Sequence, residues 1–113
     1  MMISSSASVS GIRAAFKMLD ASAHNTANLN TDGFKKHAVL LSEANGGGVF
    51  AKESVTASAG PLYMSNGNIY EASNADYGEE AVNQIIARQM LSANIAALKT
   101  ADSMQKSLLD LFA

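Results

Sequence analysis

The chain has 113 residues and a mass of 11.8 kDa, room for one domain with one modest core. Its formal charge is −2 and its pI is near 5.5, so bulk charge gives no pull towards nucleic acid or anionic lipid and points to protein partners. There is no cysteine, which removes disulfides, thiolate metal sites and thiol nucleophiles. Apolar runs such as Ala38–Leu41 stop far short of the roughly 18 residues of a membrane span.

The first residues, Met1-Met2-Ile3, lead into serines at 4, 5, 6, 8 and 10, which read as a linker or a frayed helix start. The first charge is Arg13, so no basic residue precedes an apolar stretch and a cleavable secretory signal is not expected. From about Val9 to Asn30 the spacing of Val9, Ile12, Phe16, Leu19, Ala23 and Thr26 predicts a helix with a coiled-coil-like seam. Arg13, Lys17, Asp20 and His24 recur on another face as a solvated stripe. Asn30-Thr31-Asp32-Gly33 supplies the stop, with Gly33 placed as a left-handed helix cap and Phe34 aimed by it between helices and strands.

Lys36–Ser42 and Val49–Ser58, joined by Asn45-Gly46-Gly47-Gly48, predict a β-hairpin with a loose loop. Gly60-Pro61 breaks the chain and Ser65-Asn66-Gly67-Asn68 makes a further turn. Two strands alone are marginal in water, so this region has to lean on something else.

A second helix is predicted from Glu79 to the end, opened by Glu79 and Glu80 and roughly 50 Å long. One stripe is Val82, Ile86, Met90, Ala93, Ala97, Ala101, Met104, Leu108 and Leu111; a second, nearly opposite, is Leu91, Ile95, Leu98, Leu109 and Phe112. Two opposed stripes mean cover from two directions, and only one can be this chain's own first helix. The first stripe is taken as the intrachain seam and the second as a face for neighbours, so that charging Leu108 should unfold the subunit and charging Leu98 should block assembly. Alanine numbers 20, whereas Leu, Ile, Val and Phe together number 25, a thin supply of large apolar side chains that also favours cover by neighbours.

Nothing assembles into a catalytic or metal constellation. His24 with Asp20 one turn back reads as a surface i, i+4 pair, and His37 has no acidic companion close in sequence. Gly46-Gly47-Gly48 lacks the Lys and Ser/Thr of a phosphate loop, and Lys35-Lys36 is too short for a nucleic-acid patch. Asn25, Asn28 and Asn30 read as local caps of the helix end.

The string His24-Asn25-Thr26-Ala27-Asn28-Leu29-Asn30-Thr31-Asp32-Gly33-Phe34-Lys35 nevertheless resembles the signature of the flagellar rod and hook family, an Ala-Asn-rich helix end followed by Thr-x-Gly-Phe or Gly-Tyr. Ser73-Asn74-Ala75-Asp76-Tyr77-Gly78-Glu79-Glu80-Ala81-Val82-Asn83 is similar to the family's Asn-Val-Asp and Glu-Glu-Met-Val helix start, and Ser92-Ala93-Asn94, Thr100–Met104 and Leu108–Phe112 continue the likeness. Leu91 stands where the family usually has Tyr, and the stretch before the second helix is short, which resembles the short proximal rod proteins.

The resemblance implies a mainly α fold with a small β element: an antiparallel, coiled-coil-like pair of long terminal helices with an intervening hairpin. Its parts are residues 1–34 as N-terminal helix with the motif, 35–78 as hairpin and extended segment, and 79–113 as C-terminal helix, all in one domain. The function implied is that of a structural subunit of the basal-body rod, exported by the type III apparatus without signal cleavage to the rod in the periplasmic space. Its partners would be copies of itself and other rod and hook proteins, with no cofactor, metal, nucleic acid or membrane span. Assembly is expected to use Ile12, Phe16, Leu19, Asn28, Gly33, Phe34, Leu91, Ile95, Leu98, Met104, Leu108, Leu109 and Phe112. The alternative is a small helical adaptor or export chaperone that holds one partner helix in a groove.

Overall fold

The computed structural model describes residues 2–112, with side chains from Ser5 onward. Two helices, α1 (Met2–Ala27) and α2 (Tyr77–Phe112), enclose four strands in sequence: β1 (His37–Glu43), β2 (Val49–Val55), β3 (Leu62–Ser65) and β4 (Asn68–Glu71). The fold is mainly helical with a small β element between terminal helices, and it is drawn out to 78 × 24 × 13 Å.

α1 begins earlier than the periodicity predicted because the serine-rich start lies along α2, and tertiary cover outweighs serine's modest helix propensity. It stops at Ala27, before Asn30. There the Asn28 side-chain amide donates to the His24 carbonyl (2.9 Å) and Thr31 Oγ1 donates to Asn28 Oδ1 (3.0 Å), which offers the chain a turn in place of another helical residue. α2 starts two residues before Glu79, because Asp76 Oδ2 accepts the Glu79 N–H (3.2 Å) as its N-cap. Glu79 and Glu80 then lie in the first turn, at the positive end of the helix dipole.

The helices pack antiparallel along a seam of small and polar residues: Ser8, Gly11, Ala15, Ser22 and Asn25 on α1 against Glu80, Ala87 and Ala101 on α2. A Cβ on Gly11 would lie 2.5 Å from Asn94 Oδ1, so the Asn94 side-chain amide occupies the space that the glycine leaves open. This overturns the predicted seams. Each helix is rolled by roughly a quarter turn from its row of largest apolar residues, since a close Ala-Gly-Ser contact forms only where bulky side chains are absent. Phe16, Val82, Ile86, Met104 and Leu108 are therefore exposed, whereas Leu91 and Leu98, assigned to the outer face, are half-buried beside the seam.

β1 and β2 pair antiparallel in register from His37↔Val55 to Glu43↔Val49, and this first hairpin lies on α1. Ala14 and Ala21 line the grooves between α1 and the strands, and Ser10 Oγ accepts the Val49 N–H (3.0 Å) at the edge of β2. The segment read only as a turn is a second hairpin, β3–β4, closed by Asn66 and Gly67 with φ of 51° and 80°, the signs of a type I′ turn. Its four-residue strands are too short to stand out by alternation.

Candidate assembly surface and its anchoring neck

The two motif strings, 38 residues apart at their nearest ends in sequence, converge where α1 ends and α2 begins. Asn25 is the joint. Its Nδ2 donates to the His37 carbonyl (2.8 Å) and to Glu80 Oε1 (2.9 Å), and its Oδ1 accepts the His37 N–H (2.8 Å). One amide thus pairs with the free edge of β1 as a strand would, and with the first turn of α2. Ser22 Oγ adds a bond to the Glu80 carbonyl (3.2 Å). Glu80 is 1% exposed, and its Oε2 is buried without a partner among the described residues. Reading Asn25 as a local cap is therefore corrected. Sequence carried one hint, an Asn-rich helix end in a chain whose other helix opens on paired glutamates.

A second set of bonds ties the hairpins to this joint. Asn74 Oδ1 accepts the Lys36 N–H (2.6 Å) and its Nδ2 donates to the carbonyls of Thr56 (3.0 Å) and Ser58 (2.9 Å). Glu71 pairs with the Lys35 ammonium and accepts the Gly60 N–H (3.0 Å). These donors, the Lys35 bond first and the Gly60 amide next, hold the Glu71 carboxyl below its ordinary value of 4.5. Tyr63 donates to Asp32 Oδ2, and that bond is the main cause of its raised phenol pKa. Gly33 has φ 73°, the left-handed conformation predicted, but it lies beyond α1 and its N–H donates to the Glu71 carbonyl (2.8 Å). It closes the chain onto the second hairpin and caps no helix.

Phe34 is half-buried, its ring stacked on His37 (6.0 Å) and edge-on to His24 (5.4 Å). His37 does have an acidic companion, Glu53 across the hairpin, with Nδ1 2.6 Å from Oε1. Register, not proximity in sequence, brings it there. Among the described residues no group of three or more His, Cys, Asp and Glu could hold a metal ion.

The remaining predicted residues divide into two sets. Ile12, Leu19, Asn28, Leu91 and Leu98 are half-buried within the subunit. Phe16, Gly33, Ile95, Met104, Leu108, Leu109 and Phe112 are exposed. The pairing of Gly11 with Asn94 and of Asn25 with Glu80 sets the register of the two helices, and burial along α2 ends at Ala101. Residues 102–112 are exposed, and the helix register carries Leu108 beyond Met2, so it has no intrachain seam to enter, contrary to the sequence expectation.

The segment with this uncovered surface is also the one that matches a known family. Residues 65–111 match the family described as flagellar basal body rod FlgEFG protein C-terminal, from the β3–β4 turn through nearly all of α2. Over that span the chain is similar to the flagellar basal-body rod family. The match takes in the C-terminal motif string; the N-terminal string around Asn25 lies outside it. No curated protein matches the chain. The neck accounts for the spacing of the motif within the matched segment. Ser73, Asn74, Asp76, Glu79 and Glu80 are the residues by which the start of α2 is capped and fastened to the rest of the chain. Among the described residues no helix is long and apolar enough to cross a membrane.

Proposed function

We propose that the chain is a subunit of the flagellar rod that assembles with copies of itself and with other rod and hook proteins into a helical axial tube, and that this tube transmits torque for motility. The observation that carries this reading is the distribution of apolar surface. Every buried apolar residue among those described is an alanine, while Phe16, Ile86, Ile95, Met104, Leu108 and Leu109 stand in the open on the helices. Exposure of so many large apolar side chains marks surfaces for protein partners. The small-residue seam gives a thin, close-packed rod of two helices, and the large side chains are left for neighbours. Torque transmission needs many packed contacts and no active site, which suits a surface of this kind. The rod-family segment further supports delivery by the flagellar type III export apparatus, without signal cleavage, to the periplasmic span of the rod. The short middle segment favours a place among the proximal rod proteins.

The test is the protein content of basal bodies isolated from the bacterium that encodes the chain. It should be present in rods, and a strain lacking it should be non-motile with basal bodies arrested before rod completion. Motile cells with complete rods that lack the chain would overturn the reading.

A further inference from the structure

Residues 102–112 of α2 are exposed, Leu109 63% and Phe112 86%. Their last turn contains Asp110 and no base, and Lys106 is engaged with Asp102 at 3.2 Å. Asp110 is in no ion pair among the described residues, so this turn offers an unpaired carboxylate beside its apolar side chains. A shallow groove between α1 and β2 has the complementary character. It is floored by Ala14, Ala51 and the exposed ring of Phe50, and rimmed by Arg13 and Lys17. Neither cation is in an ion pair among the described residues.

We infer that the C-terminal turn of α2 from a second copy of this chain seats in the α1–β2 groove, with Leu109 and Phe112 against Ala14 and Phe50 and with Asp110 held by Arg13 and Lys17. The occupant is a second copy because a continuous helix carries the chain's own last turn away from its own groove. Each contact gives Asp110 a cationic partner and covers apolar side chains on both copies. Turn and groove are different surfaces, so the contact is heterologous and repeats along an open helical array instead of closing as a dimer. This inference rests on the rod-assembly reading and names the surfaces that would carry it.

The absence of cysteine allows a direct test on the full chain. Ala51→Cys in one preparation and Leu109→Cys in another are mixed at concentrations where the unaltered chain sediments as assemblies, then oxidised mildly. The mixed disulfide should be the dominant cross-link. Arg13→Glu with Lys17→Glu in the first preparation should reduce it roughly tenfold, and Asp110→Lys in the second should restore it. Circular dichroism checks that each variant keeps its helices. Sedimenting assemblies without the mixed disulfide, or a cross-link indifferent to these charges, would overturn this docking while leaving assembly intact. Failure of the unaltered chain to sediment at any concentration would overturn assembly and docking together.

Discussion

Asn25 shows how one side chain can take the place of a stretch of backbone. Its amide makes three bonds that link α1 to β1 and α2, in a place where the Glu80 carboxylate would otherwise be buried with neither oxygen paired. Asn25→Ala should lower stability by about 2–4 kcal/mol, because the Glu80 carboxylate and the His37 peptide lose partners that water cannot easily replace. Thermal or denaturant unfolding measures this, and a loss under about 0.5 kcal/mol would show that the joint does not hold the neck. Glu71 adds a pH signature. Its carboxyl is held below the ordinary value by Lys35 and the Gly60 amide, so folding favours the charged form. That contribution is fully present above pH 4.5 and is lost as pH falls through the lower folded value. The Gly60 amide resonance should follow the Glu71 titration in NMR, and Glu71→Gln should abolish that step.

The two helices carry their apolar residues in ways that periodicity alone ranked wrongly. Spacings of three and four located both helices, yet the largest side chains were mistaken for the mutual seam. The real seam runs through Gly11, Ala15, Ser22 and Ala87, which a hydrophobicity count ranks low, because tight packing between the helices rewards small side chains. The expected effects of charging α2 change accordingly. Leu98→Glu, half-buried beside α1, should destabilise the isolated subunit by about 1–3 kcal/mol. Leu108→Glu, 45% exposed beyond the end of α1, should alter its stability by no more than about 0.5 kcal/mol while blocking incorporation into rods. Unfolding curves and rod isolation for the pair decide this. A subunit unfolded by Leu108→Glu and untouched by Leu98→Glu would restore the seam that sequence predicted.

For the molecule as a whole, an alanine core in a particle 78 Å long gives little hydrophobic stabilisation to the isolated chain. Helicity should therefore be incomplete in dilute solution and rise with protein concentration as neighbours cover α2, a change readable by circular dichroism. Full, concentration-independent helicity at micromolar levels would mean the subunit needs no partner to order itself. Composition, the two helical periods, the glycine loop and the paired motif strings were enough to establish the mainly α class, the terminal helices and the first hairpin, and to show the likeness to the rod family over the matched segment. These are local or compositional properties, set by residue type and short-range spacing. The tertiary structure alone decided that Asn25 meets Glu80, that His37 meets Glu53, that Gly33 turns the chain onto Glu71, and that α2 overshoots α1. Each depends on which surfaces come together and at what offset, and that is fixed by the closest packing of small side chains between helices, a quantity with no signature in the order of large ones.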